Sequence, residues 1–258
     1  MFVSTQSSKA EPQPRRKGSK MDYGPDGFDL TLLGRRALPR KFRDITISHT
    51  FVEFLRVGVD STPVEVQNRA KNHAILKVDL TSGYDGFEGV RITMLPNWEV
   101  ASDGPPKGPS YKPGQCFVKP VRYSGPSNST ARTCQFDFAQ GVPLEWLLAV
   151  IEDNNLHRFY FVDLNDKYYG CRDFVTQLLY QLFVAAYTTG SIIGTYPEEP
   201  GLPEEVTNIC ATLGYRYMAE PLGMPYPCPI DRGYFSHYWR VEEPYMPYEP
   251  LYLEGNDG

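Results

Sequence analysis

Residues Cys171–Tyr187, CRDFVTQLLYQLFVAAY, decide how this chain folds. Phe174, Val175, Leu178, Leu179, Leu182, Phe183 and Ala186 recur at i, i+3 and i+4, the period of a helix. Toward its end the segment is apolar nearly all round, which predicts a helix buried at the centre of the fold. Gly190 marks its stop. The helix opens on Gly170-Cys171-Arg172, so a cysteine stands at its first turn.

The segments around this helix read as strands. Asp44–Val57 is rich in β-branched and aromatic residues, and Asn72–Leu80 (NHAILKVDL) and Gly89–Met94 (GVRITM) flank the turn signal Ser82-Gly83-Tyr84-Asp85-Gly86. The last two predict a hairpin in which His73, Ile75 and Lys77 face one way and Ala74, Leu76 and Val78 the other. Apolar residues on both faces predict a strand covered on both sides. Residues 96–120, rich in Pro, Gly and Lys, read as a long loop. Arg132–Phe138, Phe159–Leu164 and Phe235–Val241 read as further strands, and Pro143–Glu152 and Pro203–Leu213 as helices, the latter stopped by Gly214. The expected fold is α+β: an antiparallel sheet packed against a buried central helix bearing Cys171. Residues 1–40 read as a mostly disordered tail whose apolar group Phe28–Leu33 docks on the body. Residues 41–241 read as one domain, and 242–258 as a Pro/Tyr/Glu-rich tail.

Charge narrows the partners. Residues 41–258 carry 18 basic and 27 acidic side chains. An acidic body repels phosphate backbones, so no nucleic-acid partner is expected, and the Arg15-Arg16-Lys17 cluster reads as a solvated tail. No 18-residue apolar run exists, so no stable membrane insertion is expected. No apolar leader is present, and Pro interrupts the weakly transit-like Met1–Lys20, so the expected location is the cytoplasm. The five cysteines (Cys116, Cys134, Cys171, Cys210, Cys228) are odd in number and widely spaced, with no C-x-x-C pair. That argues for free thiols in a reducing compartment. P-loop, serine-elbow and zincin motifs are missing. Asp163, Asp166 and Asp173 fit no ligand spacing, so neither a metal nor a cofactor is expected.

A free cysteine is ordinarily a small buried residue. Cys171 differs by its place. A helix start offers unpaired N–H groups and the positive end of the dipole, which favour thiolate and can receive an oxyanion. The thiolate needs a proton partner, and histidine is the usual one. Of the four histidines, His73 is on a central strand after Asn72, His49 on the strand before it, His157 in an exposed loop and His237 in an aromatic segment. His73 is the best base.

The order of an Asn72-His73 strand, its hairpin partner, then Gly170-Cys171-Arg172 opening an apolar helix resembles the circularly permuted papain-like superfamily. That superfamily includes NlpC-type peptidases and lecithin:retinol acyltransferase-like proteins. More closely, the chain resembles an uncharacterised, mainly fungal family with an Asn-His strand and a Gly-Cys-Arg helix start. The resemblance spans roughly residues 44–195. It implies a papain-like fold in permuted order, Cys171 as nucleophile and His73 as base. The oxyanion would be held at the N–H groups of Cys171 and Arg172. Ala74 stands where such proteins often have Trp, and the residue that orients His73 is open among Asn72, His49 and Arg91. The expected function is a thiol-dependent amide or ester hydrolase or acyltransferase acting on a small molecule or peptide. Two rivals remain: an inactive binding or scaffold protein on the same fold, and a small-molecule biosynthetic enzyme in which the cysteine is incidental.

Overall fold

The apolar helix forms over Cys171–Thr189. The computed structural model describes residues 26–56, 71–103, 110–138, 142–164, 167–189, 204–217 and 225–249. Residues 1–25 of the expected tail, Asp166, Gly190 and residues 250–258 lie outside them. The strands in chain order are β1 (Phe28–Asp29), β2 (Ile47–Leu55), β3 (Ala74–Tyr84), β4 (Phe87–Pro96), β5 (Ser110–Val121), β6 (Thr130–Phe136), β7 (Phe159–Asp163), β8 (Tyr168–Tyr169), β9 (Tyr215–Arg216), β10 (Tyr226–Pro227) and β11 (Tyr234–Phe235). The helices are α1 (Leu30–Leu33), α2 (Arg40–Arg43), α3 (Leu144–Asp153), α4 (Cys171–Thr189) and α5 (Glu204–Leu213).

The architecture is α+β. Among the described residues, nine strands form one sheet with the path β11-β7-β5-β4-β3-β2-β6, to which β1 adds at β5 and β8 at β7. Every pairing in it is antiparallel. β3 and β4 meet at a two-residue turn in which Asp85 and Gly86 both have positive φ, 53° and 77°, the combination Asp-Gly supplies most readily. Helix α4 lies against β3 and β4. Its Phe174, Val175, Leu178, Leu179, Leu182, Phe183 and Ala186 are buried in one core with Val52, Phe54, Ala74, Leu76, Val78, Ile92 and Met94. Each large apolar side chain so buried contributes about 1.5–3 kcal/mol. The opposite face of β2 and β3 carries a buried polar group, Glu53, Lys77 and Asp79. There Lys77 pairs with Asp79, and Glu53 and Asp79 accept the N–H groups of Ser127 and Gly125 from the following loop.

Four expectations need correction. Residues 110–121 are not loop but the long strand β5. Lys112, Gly114, Cys116, Val118 and Pro120 alternate inward there, and the strand tolerates its prolines because β5 changes neighbours, with β7 at 110–113 and β1 at 117–118. Residues 26–40 are ordered rather than a disordered tail: Asp29 caps α1, and Phe28 and Leu30 are buried in the core, the docking expected of Phe28–Leu33. The last strand stops at Phe235, and farther on the Val241 N–H and carbonyl are taken by the Gln177 side chain of α4 instead of by a ladder. Residues 242–249 likewise lie on the body, where Tyr248 bridges to Ile230 and its hydroxyl reaches α4. Among the described residues no helix is long and apolar enough to cross a membrane.

Candidate active site

Gly170 sets the start of α4. Its φ of +125° is open to glycine and strained for any other residue. A Cβ there would lie 2.8 Å from the Phe159 ring and 3.2 Å from the Gly233 backbone. The first helical bond runs from the Phe174 N–H to the Gly170 carbonyl, 3.1 Å, so Cys171, Arg172 and Asp173 occupy the first turn. Gly170 has no side chain with which to cap that turn, and its N–H groups are left for another acceptor.

His73 stands one residue ahead of β3, tied to the sheet by its carbonyl, which accepts the Leu55 N–H at 2.9 Å. It lies beside Cys171 in the lining of one cavity, and its charge acts on the sulfur. Burial opposes the thiolate, but the charge of His73, a hydrogen bond from His73, the Ala74 N–H and the charge of Arg172 together outweigh it. The thiol is held below its ordinary range. The His73 Nε2 is 2.7 Å from the Thr93 hydroxyl. Thr93 therefore orients the imidazole. Thr93→Val removes this partner at almost constant shape. It is expected to slow alkylation of Cys171 at pH 6 about tenfold, the low end of what losing a hydrogen-bond partner that orients a histidine costs, while Thr93→Ser retains the rate.

The other candidates lie elsewhere. Asn72 is buried, and its amide is committed to backbone: it donates to the Leu55 and Tyr217 carbonyls and accepts the Tyr217 N–H. It ties β2 to the segment after β9 and orients nothing at the thiol. His49 is exposed beside Asp137, six residues back along β2 from Leu55. Arg91 is level with Lys77, four residues beyond His73, and its field acts on Glu53. The Arg172 side chain points away: its guanidinium donates to the carbonyls of Leu213, Cys228 and Pro229 and to the Cys228 sulfur. Only its backbone N–H and its charge serve Cys171. His157 and His237 line a separate cavity of about 510 Å³. His157 is half-buried rather than exposed, and burial lowers its pKa. Asp173 is buried in an ion pair with Arg240, and Asp163 accepts from Ser102. Among the described residues no three His, Cys, Asp or Glu side chains are gathered as a metal ion requires.

A cavity of about 340 Å³ opens on the Cys171–His73 pair, walled by Tyr168 and Tyr169 and flanked by Lys71 and Lys167. Tyr168 is braced by the edge-on ring of Trp98, 5.1 Å between centroids. A thiol, an imidazole with its hydroxyl partner, a helix start and a pocket thus meet in one place. The chain belongs to the DUF7770 family, a domain of unknown function, whose model matches residues 57–236. That span contains His73, Thr93 and Cys171. No curated protein and no solved structure matches the chain.

Proposed function

We propose that this protein carries out thiol-dependent acyl chemistry, hydrolysing an amide or ester or transferring its acyl group, on a papain-like arrangement in circularly permuted order. The observation that carries the reading is that Cys171, at a helix start opened by a glycine, and His73, held by Thr93, line one cavity, with His73 favouring the thiolate. The Cys171 thiolate attacks the substrate carbonyl and forms a C–S bond. The N–H groups of Cys171 and Arg172 receive the oxyanion. Collapse breaks the bond to the leaving group, which takes the proton from His73. Water or an acceptor then attacks the thioester and gives its proton to His73, and the C–S bond breaks to restore the thiolate. The cavity suits a small molecule or the end of a peptide. Five free thiols are in keeping with a cytoplasmic setting.

The test is competitive alkylation of the full chain with iodoacetamide at pH 6, each cysteine followed by peptide mass spectrometry. Cys171 is expected to react at least tenfold faster than the rest, since only thiolate reacts. Burial pushes Cys210 up to about 12 and raises Cys116 as well, which makes both slow internal references. Equal rates for Cys171 and the other four would end the proposal.

A further inference from the structure

From the mouth of this cavity we infer that the substrate carries a carboxylate close to its scissile carbonyl and that Lys167, with Lys71, reads it. The inference rests on the function proposed above and names the substrate class. Beyond residue 40 the chain is strongly acidic, with 27 acidic against 18 basic side chains. The cavity reverses that balance: among the described residues it is lined by Lys71, Lys167 and Arg172 against one carboxylate, Asp231. These groups differ in what they can offer a ligand. Arg172 is 3 % exposed and its guanidinium is used up on carbonyls, so it contributes field but no contact. Lys71 is partly covered, 2.5 Å from Asp231 and 5.4 Å above the Tyr169 ring. Asp231 is thereby neutralised by Lys71. Lys167 is exposed on the chain leading into β8, and among the described residues no ion pair engages it. It is the cation left over at the mouth, four residues before the nucleophile.

The two tyrosine walls lower the local polarity and strengthen attraction between these ammonium groups and an anion. A substrate carboxylate at the mouth meets Lys167 directly and shares Lys71 with Asp231. Its carbonyl then lies inward against Cys171 and the helix start. A neutral acyl group fits the same space without this contact, and a cationic one meets Lys167 as a like charge.

Iodoacetate and iodoacetamide attack a thiolate by the same displacement of iodide and differ in carrying a carboxylate or an amide. The readout is the ratio of their rates on Cys171 of the full chain, set against the ratio on free cysteine under the same conditions. The ratio is expected to exceed the free-cysteine value and to fall as salt is raised from about 0.01 to 0.5 M, because exposed charges are screened. Lys167→Gln is expected to lower it roughly fivefold and Lys167→Glu further, while Asp231→Asn raises it by freeing Lys71. A fast iodoacetamide reaction whose ratio matches free cysteine overturns the carboxylate reading and leaves the activated thiol standing. An elevated ratio that neither lysine variant moves assigns the attraction to His73 and overturns it as well. A slow iodoacetamide reaction is the separate failure of the acyl-chemistry proposal itself.

Discussion

His73→Ala is expected to slow the alkylation of Cys171 by iodoacetamide at pH 6 by about two orders of magnitude. An unassisted thiol, with a pKa near 8.5, is only about 0.3 % thiolate at pH 6, so the ceiling on the gain from a fully ionised thiol is roughly 300-fold. Several groups act on this sulfur. Burial pushes toward the thiol, and His73 opposes it twice, by charge and by hydrogen bond, ahead of the Ala74 N–H and Arg172. Removing the ring leaves burial opposed by the two lesser groups. The rate of the parent protein is expected to rise with pH and level off below the ordinary thiol range. That of the variant climbs later, and the two converge as pH rises beyond it, where both are thiolate. A variant as fast as the parent at pH 6 would show that the helix start alone ionises the thiol and that His73 is no partner to it.

The largest effect on stability is expected from Asp173→Ala, about 3–5 kcal/mol in urea unfolding. Asp173 is fully buried in the first turn of α4 and accepts from Arg240, from the Tyr248 hydroxyl at 2.7 Å and from the Gly233 N–H at 2.7 Å. Burial holds its carboxyl above the usual range in spite of these partners. The pair is therefore worth little against well-packed apolar replacements, and the cost lies in orphaning one member. Alanine strands the Arg240 cation, which is only 19 % exposed, and two further donors. The double variant Asp173→Leu, Arg240→Met is expected to recover most of the loss. If the single variant unfolds at the parent's midpoint, the clamp carries no stability.

The segment Cys171–Tyr187 declared both the central helix and the place of the thiol, because a period of 3.6 with no polar face has one physical outcome. The hairpin was legible from Asp85-Gly86. Its register was not. A two-residue turn run straight back would set Pro96 level with Ile75, but the pairing shifts between Asp79 and Tyr84 and sets Thr93 there instead. The orienting residue was hidden behind that irregularity, and of β4 only Arg91 stood among the candidates, a cation ill-suited to orienting an imidazole. β5 was hidden differently. Pro113, Gly114 and Pro120 carry the composition of a loop, while the inward alternation of Cys116 and Val118 within them was the overlooked signal. Asn72 and Arg172 were legible as unusual polar residues beside the site, but their partners are backbone groups between residues 55 and 229, which no side-chain pattern encodes.

The nucleophile's helix is fastened by what comes after it. Arg172 gathers carbonyls at Leu213, Cys228 and Pro229, and Asp173 takes Gly233, Arg240 and Tyr248. A chain growing on the ribosome has its cysteine and histidine in hand about 4 to 15 seconds before Tyr248 is made. During that interval the helix start lacks its ties, and the thiol has no fixed geometry. The helix start therefore takes its final form as a late step of maturation, set by the order of residues along the chain.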